Sequence, residues 1–391
     1  MNRSLLLLAA CQGLFLTNNI VLIAINGLVG LRLAPLGWMA TLPVMSYVVG
    51  GALSTGLVAR TQSRYGRQTS FQIGLLVAAL SALVCAYAVF SGNFWLLIAA
   101  TLVAGYYMAN GQLYRFAAAE LSPTAFREKA VSLVLAGGLI GAVFGPNLAT
   151  RTKDLLSIPF VGAYLALAVV AVSGMGLMAL VRFPAVPSGH QQQQPVGRPM
   201  RAIMRQPLFL VSVIGAALGY GVMNLLMAAT PLAMDVCGFP FGDAVLVLQW
   251  HVIGMFAPGF FTGYLIKRFG ALSIMGVGVA LNALCIVITL SGVELHKFLV
   301  ALFLLGVGWN FLFTGSTTLA MQTYRPEEKD QAQAAINFVV FAVMAVTSFA
   351  SGALVTTQGW QLLNYGSLIP VALLVVALLW VGLRRGRAAP A

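Results

Sequence analysis

Apolar residues run the length of this chain in blocks of about 20, each long enough to cross the roughly 30 Å hydrocarbon core of a bilayer as a helix. Twelve blocks are predicted, near residues 4–31, 38–59, 70–91, 94–116, 129–150, 160–182, 207–234, 243–266, 271–292, 298–321, 331–354 and 361–383. The short alternating strands of a barrel are missing from the pattern. The longest interruption, FPAVPSGHQQQQPVGRPMRAIMRQ at 183–206, is filled with Pro, Gly and Gln and reads as a linker. It separates an N-terminal six-helix half, 1–182, from a C-terminal six-helix half, 207–391. The fold class is an all-α polytopic membrane protein with twelve transmembrane helices.

Composition agrees. Hydrophobic residues make up 60% of the chain and charged residues 8%, about a third of what a soluble surface carries. A net charge of +13 would suggest nucleic acid in a soluble domain, but here the charges sort by side. With the blocks as drawn, 18 of the 22 Lys and Arg fall with the two termini and the linker, and only Arg32, Arg151, Lys153 and Lys297 fall opposite. Positive charge stays in the cytoplasm, so both termini and the linker are expected there, and no nucleic-acid partner is expected. The four cysteines are far apart in apolar surroundings, without a C-x-x-C, and read as buried thiols. The LAAC at 8–11 looks like a lipoprotein cleavage box. The apolar run before it is very short and continues past Cys11, so the first span reads as retained.

SRYGR at 63–67 follows the second span and KRFGA at 267–271 follows the eighth. Both place Arg, an aromatic residue and Gly in a short loop: Arg64, Gly66 and Arg67 in one half, Arg268 and Gly270 in the other. These loops resemble the G-x-x-x-D-R-x-G-R motif of the major facilitator superfamily. The resemblance implies two halves rocking about a central site, with spans 1, 4, 7 and 10 lining it. Ser63 stands where that motif has Asp, which puts the usual acidic latch in doubt.

Charge inside the membrane is costly and marks function. None of the nine acidic residues falls mid-span, which argues against a proton or sodium site built on a carboxylate. Of three histidines only His251 lies inside a span, where its ring needs a hydrogen-bond or metal partner. The seventh span holds Met223 and Met227, four residues apart on one face, and the eighth repeats the spacing with His251 and Met255. Counted from a turn at 238–239, Met227 and His251 share a depth of about 18 Å and Met223 and Met255 one of about 24 Å. Thioethers are soft neutral ligands suited to Cu(I), with imidazole as companion. Core packing is the ordinary explanation of such methionines.

M-x-x-x-M followed by H-x-x-x-M resembles the paired signature of CcoA-like copper uptake transporters, a bacterial facilitator branch that supplies cbb3-type cytochrome c oxidase. The resemblance implies copper import across the bacterial inner membrane by uniport or symport. The metal would be held by Met223, Met227, His251 and Met255, with Met234 and Cys237 as secondary contacts. It implies copper as cargo with no prosthetic group, the lipid bilayer as surroundings, and copper chaperones or oxidase assembly factors as partners. A second cargo class stays open. Related branches resemble riboflavin importers, and other facilitators move drugs. Asn18, Asn26, Tyr106, Asn110, Trp309 and Asn310 would then contact an organic solute, although hydrogen bonding between helices explains such residues as well. No nucleophile–base set or nucleotide loop points to an enzyme.

Overall fold

The computed structural model describes residues 3–123, 127–183, 197–325 and 328–388. Its helices, in order, are α1 (Arg3–Leu33), α2 (Leu42–Phe90), α3 (Phe94–Gly111), α4 (Tyr114–Glu120), α5 (Arg127–Thr152), α6 (Val161–Ala179), α7 (Met200–Met204), α8 (Pro207–Val236), α9 (Phe241–Phe256), α10 (Gly259–Phe269), α11 (Ala271–Leu290), α12 (Leu295–Met321), α13 (Lys329–Thr357) and α14 (Gly359–Ala388). Among the described residues no strand occurs.

Among the described residues ten segments are long and apolar enough to cross a membrane, and α9 with α10, bent by 43°, makes an eleventh. One of the ten, Gly37–Phe90, has 54 residues, far more than one crossing uses. It breaks at Gly66, whose φ of 81° and ψ of 169° interrupt the helix and suit a residue without Cβ. Ser46 bonds Thr101 at 2.6 Å, and a Cβ on Gly51 would lie 3.1 Å from Met108 Sδ, so 42–65 runs parallel to α3. Beyond the break Ser70 bonds Asn110, and Ala78 and Ser81 share a small cavity with Ala104 and Tyr107, so 67–90 runs antiparallel to it. The chain therefore reverses at Gly66, and twelve crossings result. The loop expected between spans 2 and 3 shrinks to one glycine because helix continues on both sides of it.

The eighth span bends where Pro258, which has no N–H to give, follows α9. Asn310 of α12 holds the bend, donating to the Met255 carbonyl at 2.7 Å and accepting from Thr262 Oγ1 at 2.7 Å.

The two halves meet at the end remote from the termini. Gly352 N donates to Thr41 Oγ1 at 3.1 Å, Trp38 packs edge-on against Phe349, and Phe160 packs edge-on against Phe241. Lys153 lies 5.1 Å from the Phe241 ring centre.

The linker ends in structure. Residues 184–196 lie outside the described residues, but α7 occupies 200–204 and the segment before it is clasped to the C-terminal half. Glu328, which the sequence reading leaves among the loop acids, is buried. Its carboxylate accepts from Arg198 Nε at 2.8 Å, Nη2 at 2.7 Å and backbone N at 2.8 Å, and from Arg325 N at 2.9 Å. The Arg198 bonds, then the backbone N–H of Arg325, hold the carboxyl well below the usual carboxylate range. A depressed folded-state pKa stabilises the fold above the unfolded value, and the contribution fades as pH falls through the folded one. Glu328→Gln is expected to lower the thermal midpoint between pH 6 and 8 and to speed proteolysis of the linker, with the gap to the parent closing only in strong acid. Equal midpoints across that range would show that the clasp contributes nothing.

Candidate functional site

α8 and α9 pack against one stretch of α12. Along α8, a Cβ on Gly215 would meet Ser316 Oγ at 2.4 Å and one on Gly219 would meet Leu312 at 3.1 Å. Met223 and Met227 follow on the same face, one and two turns on. Along α9, His251 Nδ1 lies 2.7 Å from the Leu302 carbonyl oxygen, and a Cβ on Gly306 would lie 2.8 Å from Met255 N. All four side chains are buried.

A carbonyl oxygen accepts only, so Nδ1–H donates to Leu302 and the neutral ring keeps its lone pair on Nε2. That nitrogen is buried without a hydrogen-bond partner. Among the described residues no group of three or more His, Cys, Asp or Glu gathers into a metal site. A metal cargo here would therefore rest on Nε2 and thioethers. Met234 is buried about two turns beyond the set, while Cys237 is exposed at the end of α8.

Most of the polar candidates are engaged in holding helices. Asn26 accepts from Tyr164 and Asn110 from Ser70, Tyr106 donates to Thr61, and Asn310 holds the bend described above. Asn18 is buried and lines the small cavity with Tyr107 and Cys85. Trp309 differs. It stacks on Phe313 with ring centres 5.3 Å apart and planes 9° apart. Tyr220 of α8 meets both edge-on at 5.3 and 5.6 Å, and Phe256 of α9 meets Trp309 at 6.2 Å. The Trp309 indole N–H is buried without an acceptor. Tyr220, Phe256 and Phe313 are only partly buried.

Arg115 is a further residue of interest. The sequence reading counts it with loop charges, but it lies in α4, with Nε shut away from solvent and unpartnered. Its guanidinium lies 4.9 Å from the Phe116 ring centre.

The sequence profile of the Major Facilitator Superfamily matches residues 5–348 and again 244–391. The chain belongs to the major facilitator superfamily. The riboflavin transporter RfnT of Brucella anthropi is 35% identical over 390 residues, covering 100% of this chain and 98% of that protein. Among solved structures, a bacterial homologue of the human lysosomal transporter Spinster, inward-facing and occupied, superposes with a TM-score of 0.71 at 14% identity, covering 97% and 95% of the two chains. The E. coli xylose transporter XylE, partially occluded and inward open, gives 0.72 at 16% identity, with 96% of each chain covered. These two likenesses concern fold.

The facilitator loops are where the repeat predicts them. Gly66 and Gly270 both have positive φ, 81° and 85°. Arg64 and Arg268 are exposed, each over the neighbouring aromatic ring. Arg67 pairs with Glu120 and donates to Gln62. The partner of Arg67 comes from α4, and nothing in the loop motif could have revealed a partner 53 residues away.

Proposed function

We propose that this facilitator carries an organic solute with a flat aromatic ring system, riboflavin being the first to test, by alternating access across the bacterial inner membrane. The full-length likeness to a riboflavin transporter carries the reading. The aromatic cluster of Tyr220, Trp309 and Phe313, with Tyr220 and Phe313 only partly buried, supports it, since aromatic rings suit a planar cargo. We also propose that both termini and the linker face the cytoplasm, on the 18-to-4 division of Lys and Arg. On that orientation the Thr41–Gly352 and Phe160–Phe241 contacts between the halves lie on the outer side. A cysteine engineered in place of His190, in a Cys237→Ser background, should resist membrane-impermeant maleimide in intact cells. Efficient labelling there would reverse the orientation.

A second reading, copper, has its own support. Nε2 of His251 offers a buried lone pair, and Met223, Met227 and Met255 are soft ligands on the same pair of helices. Copper delivered this way would pass to copper chaperones or oxidase assembly factors.

One experiment separates the two. Cells expressing the chain are given labelled riboflavin or copper, and uptake is compared with membrane abundance for the parent and for His251→Leu. The flavin reading expects riboflavin uptake above empty cells and no copper uptake. Copper accumulation that His251→Leu abolishes at normal abundance, with no flavin uptake, would replace it by the copper reading.

A further inference from the structure

The two halves touch at a strained corner. Phe160, between α5 and α6, has a φ of 73°, a left-handed backbone that is costly for a bulky residue and persists only where the surroundings hold it. Here the Phe160 N–H donates to the Lys153 carbonyl at 2.7 Å and closes the turn that carries both side chains. The Phe160 ring is buried, with the Arg32 guanidinium 4.9 Å and the Lys153 ammonium 5.7 Å from its centre. Phe241, the first residue of α9 in the other half, meets Phe160 edge-on at 5.7 Å. The Lys153 ammonium lies nearer to this second ring, at 5.1 Å. Its ion-pair partner, Asp154, is 3.7 Å away and largely in solvent, where such pairs contribute little. A polar contact joins the halves at the same end. Thr41 is fully buried, donating to the Phe349 carbonyl at 3.3 Å and accepting from Gly352 N at 3.1 Å.

We infer that Lys153 is a latch between the halves. Its ammonium, carried on the N-terminal half by the Phe160 turn, attracts the Phe241 ring of the C-terminal half and favours the state in which this end is shut. A cation over an aromatic face is held by the ring's quadrupole. Phe241 leaves with its own half when the two part, whereas Phe160, Asp154 and Arg32 stay on the half that carries Lys153. The attraction to Phe241 therefore acts on the shut state alone, and a contact made in one of two states shifts the balance between them. The latch serves either cargo. A lysine just past the C-terminal end of α5 also answers the helix dipole, a local role that needs nothing from the other half. The test separates the two.

Thr41→Cys, in a Cys237→Ser background, puts a thiol of similar size in the shut seam, where maleimide reaches it only when the halves part. The other three cysteines are buried. On the purified full-length chain, Lys153→Met should speed labelling about two- to fivefold, the factor expected for losing one partly exposed cation–π contact. Lys153→Arg keeps a cation and should label at the parental rate. Phe241→Leu should itself label faster, and adding Lys153→Met to it should change nothing further, since the two residues act through one contact. Parental labelling in Lys153→Met would overturn the inference, as would an acceleration that persists undiminished in Phe241→Leu, which is the result a helix-dipole role gives. Immediate and complete labelling of the otherwise unaltered chain would overturn it too, because the seam would then not be shut. If Phe241→Leu fails to reach the membrane, Phe241→Met, flexible and without a ring, takes its place in the comparison.

Discussion

Trp309→Leu is expected to lower riboflavin uptake by about ten- to a hundredfold with the protein at parental abundance, because an aromatic platform under a flat ring contributes about 1–3 kcal/mol. Trp309 is the centre of its cluster, stacked on Phe313 and met edge-on by Tyr220 and Phe256. It also carries a buried N–H without an acceptor, a group that costs free energy until something bonds it. Trp309→Phe keeps a ring and removes the donor, so it should fall between parent and Leu. Copper uptake under the rival reading uses thioethers and an imidazole, and Trp309→Leu would leave it untouched. Riboflavin uptake by Trp309→Leu equal to the parent's would remove the cluster from the cargo path.

The twelve spans were legible because lipid imposes a length and a composition on every crossing, and each predicted span overlaps a helix. What the pattern could not supply was lateral: which helices touch and which polar groups they share. Asn26, Asn110 and Asn310 looked equally suited to a solute and to a neighbouring helix, and the structure engages all three in hydrogen bonds with other helices. Arg115 looked like one more cytoplasmic charge because the pattern does not tell that its Nε is turned away from solvent. Glu120 and Glu328 looked like loop acids because their partners, Arg67 and Arg198, lie 53 and 130 residues away. His251 shows both sides. Its burial was readable from its place in an apolar block, but its bond to Leu302, which settles which ring nitrogen stays free, was not.

Gly105→Ala is expected to prevent normal assembly, although it adds a single methyl group. α3 crosses the first half of α2 almost backbone to backbone. A Cβ on Gly105 would lie 2.3 Å from Gly50 C and from Gly51 N, and one on Gly50 would lie 1.9 Å from the Leu102 carbonyl oxygen. In a membrane no hydrophobic gain drives two helices together, so small residues that permit close packing carry the association. The obstructing atoms are backbone, so neither helix relieves the overlap by changing a rotamer. The helices must separate, which also pulls Ser46 from Thr101 and undoes packing along their length. Overpacking of this kind costs about 3 kcal/mol or more when the backbone itself must move, a large part of a marginal fold's stability. Gly56→Ala supplies the control. It lies on α2 as well, but a Cβ there meets nothing within 4 Å, so the substitution should leave abundance unchanged and, by favouring helix, raise the thermal midpoint slightly. The comparison is membrane abundance and the monodispersity of detergent-purified protein for the two variants. If Gly105→Ala matches Gly56→Ala in both, the helices do not cross this closely, and the placement of the second span against the fourth is wrong.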